Sequence, residues 1–221
     1  MNNPKQSLVD LIKHLHQRGH NPATSGNYSL RELSHESNGQ VIWMSKSGVD
    51  KSIFQTSDLL ELSLINGQVL NQDVKLNGVR PSDETQVHVA IYQLEPSANC
   101  ILHSHHADLL ILGELFSQDE VIKISNLEII KAFSGVKSHE EEIYILSIEN
   151  TQDMEQLAKK IKNLWPNDKK KFVAILLRRH GVYVWGDSVQ SAKRHLEALE
   201  SIANFLWKET QLKYFLKREN C

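Results

Sequence analysis

The run Ile101-Leu102-His103-Ser104-His105-His106 carries the chain's densest group of metal-competent side chains. On an extended strand His103 and His105, at i and i+2, project from one face with Cα atoms about 7 Å apart, a gap that one metal ion can bridge. The apolar residues ahead of them take the strand into the interior, where imidazoles are costly to bury without a ligand. His180 is a third candidate. It lies in Arg179-His180-Gly181 between two hydrophobic runs, where the glycine lets the backbone turn and offers the imidazole at a strand end. Three neutral nitrogen donors with room left for substrate or water form the pattern of a catalytic zinc rather than a closed structural one.

The remaining histidines divide by context. His106 reads as support for the site or as core. His14, His16, His20 and His35 lie in or near a surface helix and loops, and His88 and His195 fall within helices; all six read as structural or exposed, while His139, in an acidic loop, stays open. Two glycine-containing segments, Thr24-Ser25-Gly26-Asn27-Tyr28-Ser29 and Ser45-Lys46-Ser47-Gly48, put hydroxyls and backbone amides in turns. Such turns suit a phosphate dianion, or are ordinary turns. Pro81-Ser82-Asp83-Glu84 opens a helix whose free N–H groups and dipole favour an anion, the alternative being a plain capped helix.

These residues need elements to position them. Leu8, Leu11, Ile12 and Leu15 make an amphipathic helical stripe that Gly19 stops, and Val87, Ala90, Ile91 and Leu94 make a second, with Ser82 as N-cap and Pro96 closing it. Strands are predicted at 27–32 and 40–44, and a type I′ hairpin at 62–65 and 68–70 around Asn66-Gly67. Further strands are predicted at 99–105, 121–125, 143–148, 172–177 and 182–185. Helices are expected at 107–115, around Met154 to Leu164, and from near Ser188 to the end. No repeat or long linker interrupts the 221 residues, which read as a single α/β domain. Lys169, Lys170 and Lys171 read as a solvated loop.

Composition narrows the partners. With 25 basic and 27 acidic residues, a net charge of −2 gives no electrostatic reason to expect nucleic acid or an anionic membrane. No apolar run approaches the roughly 20 residues of a membrane-spanning helix. The opening residues lack the apolar core of a signal peptide, and two cysteines, Cys100 and Cys221, form no disulfide framework, so the cytoplasm is the expected compartment.

Taken in order, the two glycine-containing turns, Pro81–Glu84, the His103–His106 run and Arg178-Arg179-His180-Gly181-Val182-Tyr183-Val184-Trp185-Gly186 resemble the class II aldolase/adducin family across roughly residues 7 to 210. The nonapeptide resembles the family's sugar-phosphate dehydratase branch more closely than its aldolases, and Asn126-Leu127-Glu128-Ile129-Ile130-Lys131 resembles that branch's segment bearing an acid/base glutamate. The resemblance implies an α/β/α sandwich with a central, largely antiparallel sheet and a homotetramer with active sites near subunit interfaces. It implies one zinc per subunit on His103, His105 and His180, with Glu128 as catalytic acid/base. Gly26, Asn27, Ser47, Gly48 and Ser82 would hold the substrate phosphate. Glu84 matches the aldolases' catalytic carboxylate and is a possible second one here, while Asp83 stands where a phosphate-binding serine is common. The implied reaction is zinc-dependent dehydration of 5-methylthioribulose 1-phosphate in methionine salvage, for which burial would raise the pKa of Glu128. An aldolase or epimerase on the same zinc site and a non-enzymatic adducin-like interaction module are the alternatives.

Overall fold

The computed structural model describes residues 3–32, 40–70, 79–165 and 171–219. His35, Lys169, Lys170 and Cys221 lie outside these. Eight strands, β1 (Asn27–Arg31), β2 (Val41–Ser45), β3 (Leu59–Ser63), β4 (Cys100–Ser104), β5 (Val121–Ile124), β6 (Ile143–Ile148), β7 (Phe172–Leu177) and β8 (Gly181–Gly186), form one sheet. Its order is β3-β2-β1-β4-β8-β7-β6-β5. Every neighbouring pair is antiparallel except β6 and β7. β7 and β8 are buried throughout, as their unbroken apolar runs require of central strands, whereas edge strand β5 alternates exposed and buried residues.

Helices cover both faces. α1 (Pro4–Gln17), α3 (Ala107–Leu115) and α5 (Val189–Glu219) share one core with Leu102, Val182 and Val184, while α2 (Thr85–Leu94) and α4 (Met154–Leu164) share the other with Ile101, Ile175 and Tyr183. Alternation along β4 and β8 sends successive side chains to opposite layers. α1 starts where proline can occupy the first turn and the Asn3 side chain accepts from Lys5 N at 3.0 Å. Its stripe of Leu8, Leu11, Ile12 and Leu15 is buried; each leucine or isoleucine so placed contributes about 1.5–3 kcal/mol.

Local expectations fail where a turn has another way to close. Ser82 does not cap α2: Glu84 is the N-cap, and the Ser82 hydroxyl accepts from Glu84 N at 3.3 Å within a preceding turn. Asp83 does not cap it either, lying exposed beside Arg80 at 3.7 Å. Around Asn66-Gly67 only the glycine is left-handed, at φ 73°, so the turn is not type I′. Its return arm makes the single bridge Leu62 to Val69 rather than a strand.

Candidate metal centre and anion cradle

Antiparallel pairing brings the start of β1, the end of β4 and the start of β8 to one edge of the sheet: Asn27 pairs with His103, and Ser104 with Val182. His103 is the penultimate residue of β4, on the face turned to the α2 layer. His105 follows just beyond, its N–H donating to His20 O at 2.9 Å. His180 sits on the three-residue turn between β7 and β8, and here the left-handed residue is Arg179, at φ 58°, not the glycine. Gly181 has a different duty. A Cβ there would stand 2.5 Å from Ser104 O, 2.9 Å from His103 Cε1 and 3.1 Å from His105 Cδ2, so its lack of a side chain lets β8 press against the two histidines.

One donor atom from each of His103, His105, His180 and Glu84 converges within 4.8 Å of the others. His105 Nε2 lies 2.8 Å from His103 Nε2, which is 3.0 Å from Glu84 Oε2; His180 Nε2 is 3.2 Å from Glu84 Oε1. Burial holds the His103 imidazole down at about 3 and that of His105 at about 4, so both are neutral near pH 7. His103 Nδ1 must carry its proton, because it donates to Val182 O at 3.1 Å. Its Nε2 lone pair therefore faces a carboxylate oxygen with no proton between them. Such opposed acceptors fit a divalent cation, and three imidazoles with one carboxylate form a donor set of the right chemistry. Burial would raise the Glu84 carboxyl, but His103, His180, Tyr183 and Asn27 outweigh it and hold the group well below the usual carboxylate range. The Tyr183 hydroxyl donates to Glu84 Oε2, and Tyr183 also stacks on His103 with ring centroids 4.0 Å apart.

The three predicted anion-binding segments line one pocket of about 280 Å³, with His105 joining it to the histidine cluster. Gly26 (φ 72°) and Gly48 (φ 74°) adopt the left-handed backbone that shapes its turns. Ser47 N is already taken by Arg80 O at 3.1 Å, so Ser47 offers its hydroxyl rather than its amide. Two cations border the pocket. Lys46 pairs with Asp58 at 3.4 Å. Lys51, which sequence reasoning missed, is buried and donates through Nζ to Thr24 O and Val49 O, both at 3.0 Å, tying the two glycine turns together. Its signal was faint: a lysine three residues after Gly48, where a charged residue reads as solvated.

Glu128 stands apart from the four converging donors. It begins the 3-10 helix Glu128–Ala132 with its side chain 72 % exposed, paired with Lys131 and lying 3.8 Å from His139 Nδ1. The expected upward shift by burial is reversed, since the hydrogen bond from Lys131 lowers its pKa. Of the histidines read as structural or exposed, His20, His88 and His195 are buried; His106, read as support for the site or as core, caps α3 through Nδ1, accepting from Asp108 N at 3.4 Å.

Residues 6–207 match the family described as Class II Aldolase and Adducin N-terminal domain. The methylthioribulose-1-phosphate dehydratase of a Picosynechococcus species is 36 % identical over 196 residues, 89 % of this chain and 87 % of that protein. The protein of the same name from an Enterobacter species is 34 % identical, over 87 % of this chain and 88 % of that one. Among solved structures, the L-fuculose-1-phosphate aldolase of Thermus thermophilus superposes with a TM-score of 0.68 at 21 % identity, over 94 % of this chain and 95 % of the other. A sugar-phosphate aldolase from Thermotoga maritima gives 0.67 at 19 %, over 94 % and 96 %; at such identities the likeness concerns the fold. The chain belongs to the class II aldolase and adducin N-terminal domain family.

Proposed function

We propose that this protein is a hydro-lyase that converts 5-methylthioribulose 1-phosphate to 2,3-diketo-5-methylthiopentyl 1-phosphate in methionine salvage. The observation that carries the reading is the 36 % identity, over nearly the whole chain, to a relative bearing the dehydratase name. The geometry is in keeping with it, since a site for a divalent cation opens onto a pocket suited to a phosphate. Residues 1–221 act as one domain, in the cytoplasm. Among the described residues no helix is long and apolar enough to cross a membrane.

In this reading His103, His105 and His180 hold one zinc ion per subunit. A zinc ion held there would supply the Lewis acidity that makes a C–H beside a ketone easier to deprotonate. Gly26, Asn27, Ser47, Gly48 and Ser82 surround the phosphate and fix the sugar's direction, with the Lys46 and Lys51 ammonium groups favouring its charge. Glu128 takes the C3 proton and returns it to the C4 hydroxyl as that group departs as water, leaving an enol that tautomerises to the diketone. Glu128 does this for an adjoining copy in a homotetramer, which its exposed position suits. The exposed Phe205, Leu212, Phe215 and Leu216 along α5 supply apolar surface for such assembly.

Aldol cleavage on the same site is the second reading, favoured by Glu84 rather than Glu128 standing among the histidines. A coupled assay of zinc-quantified protein with 5-methylthioribulose 1-phosphate decides. Diketone formation that Glu128→Gln abolishes is the expected result. Zinc-loaded wild type that forms no diketone, or a Glu128→Gln variant of full activity beside an inactive Glu84→Gln, would sink the first reading.

A further inference from the structure

Behind Glu84 a chain of polar side chains runs into the core, zigzagging between α2 and β1. Glu84, His88 and Tyr92 are spaced i, i+4, i+8 along one side of the helix, and Asn27 and Ser29 are i, i+2 on one face of the strand. Asn27 Nδ2 donates to Glu84 Oε2 at 3.0 Å, and Asn27 Oδ1 lies 2.6 Å from His88 Nε2. His88 Nδ1 is 2.7 Å from Ser29 Oγ, which is 2.9 Å from the Tyr92 hydroxyl. Asn27, Ser29, His88 and Tyr92 are all buried.

The direction of every bond follows from its ends. An amide oxygen only accepts, so His88 Nε2 is the protonated nitrogen. Burial lowers the His88 pKa to about 4, so its other nitrogen carries no proton and accepts from Ser29. With its one proton spent there, Ser29 accepts from Tyr92. All the donors therefore point towards Glu84, an alignment in which each bond strengthens the next. Turning the Asn27 amide over would set its oxygen against the Glu84 carboxylate, and the bond to His88 Nε2 adds to the cost of that turn.

We propose that His88 is a positioning residue for the metal centre: acting through Asn27, it locks the Glu84 carboxylate towards His103 and His180 and so tightens cation binding. The inference rests on reading the histidine cluster as a divalent-cation site. It also gives the Asn27 carboxamide a role beyond the phosphate, since its oxygen and one N–H are committed to His88 and Glu84.

Cobalt(II) binding to the full-length protein, followed by competition affinity and visible absorption, tests this without substrate. His88→Leu keeps the bulk and removes both nitrogens; affinity should fall about tenfold to 100-fold, with a changed cobalt spectrum. His88→Gln, whose amide keeps a donor for Asn27 Oδ1, should recover most of the loss. Ser29→Ala removes only the hydroxyl that donates to His88 Nδ1 and holds the ring in place, and should weaken cobalt several-fold, which keeps the test decisive if His88→Leu does not fold. Wild-type affinity and spectrum in Ser29→Ala and in any folded His88→Leu, whatever their melting temperatures, would overturn the proposal, as would a His88→Gln no better than a folded His88→Leu. Wild type that takes up no cobalt would overturn the metal reading together with it. Cobalt-binding wild type that leaves the sugar phosphate unchanged when loaded with zinc would overturn the dehydratase reading alone.

Discussion

Replacing Gly181 by alanine probes how closely β8 must approach the histidines. The new Cβ would stand 2.5 Å from Ser104 O, whereas carbon and carbonyl oxygen in contact lie about 3.3–3.6 Å apart, so β4 and β8 must part by about 1 Å. Neither partner yields easily: one is backbone, and the next, His103, is fully buried. Overpacking of this kind costs about 1–3 kcal/mol. At roughly 2–4 °C per kcal/mol for a domain of this size, the melting temperature should drop by about 2–12 °C. The same movement carries His103 and His105 away from His180, and misplacement by about 1 Å costs on the order of 100-fold in rate. Calorimetry of metal-free and zinc-loaded protein, with kcat/KM, measures both effects. Gly48→Ala is the control. Nothing lies within 4 Å of a Cβ there, but its φ of 74° is unfavourable, so it should lose about 1 kcal/mol while keeping metal affinity. A Gly181→Ala protein with wild-type melting temperature and metal affinity would refute the reasoning, because the strands would then have slack.

Three further outcomes are expected. If Glu128 serves a neighbouring copy, then Glu128→Gln and His180→Ala, each inactive alone, should regain part of the wild-type rate when refolded together; no recovery in such mixtures would count against catalysis across subunits. His20, His88, His103 and His105 have pKa values lowered to between about 3 and about 4, against about 6.5 in the unfolded chain. Below pH 6.5 the unfolded chain therefore binds protons that the folded one refuses, so metal-free protein keeps its full stability above about pH 6.5 and loses it towards pH 4, a trend that equal urea midpoints at about pH 7.5 and about pH 5 would contradict. Lys51→Met removes two charge-assisted bonds between the glycine turns; stability should fall by about 1.5–3 kcal/mol and KM should rise with kcat little changed, whereas an unaltered KM would detach Lys51 from the phosphate pocket.

The histidine cluster was legible because two local rules converged, the two-residue period of a strand and a short turn between apolar runs. Neither rule says that β4 and β8 are neighbours, and that pairing is what unites His103 with His180. Gly181 was noticed for the wrong reason: the turn is made by Arg179, and the glycine answers to atoms nearly eighty residues earlier in the chain. The spacing of Glu84, His88 and Tyr92 was visible on any helical wheel, yet a helix cannot announce that Asn27 and Ser29 will lie beneath it. His20, read as structural or exposed, is the buried structural kind, a choice that packing makes and a local window does not contain. Glu128 shows the opposite limit, a residue matched to a role by its neighbours in sequence but standing apart from the other donors within one chain.

The joining of β4 to β8 also governs the life of a loaded protein. Of the four converging donors, His180 reaches the others only through that pairing, so a chain that has not yet joined those strands offers a cation an incomplete set of ligands. Capture must then follow the slow, long-range step of folding instead of guiding it. A cation gripped this late would leave the refolding rate nearly untouched and express itself in how rarely the sheet comes apart, lengthening the life of the folded molecule rather than hastening its birth.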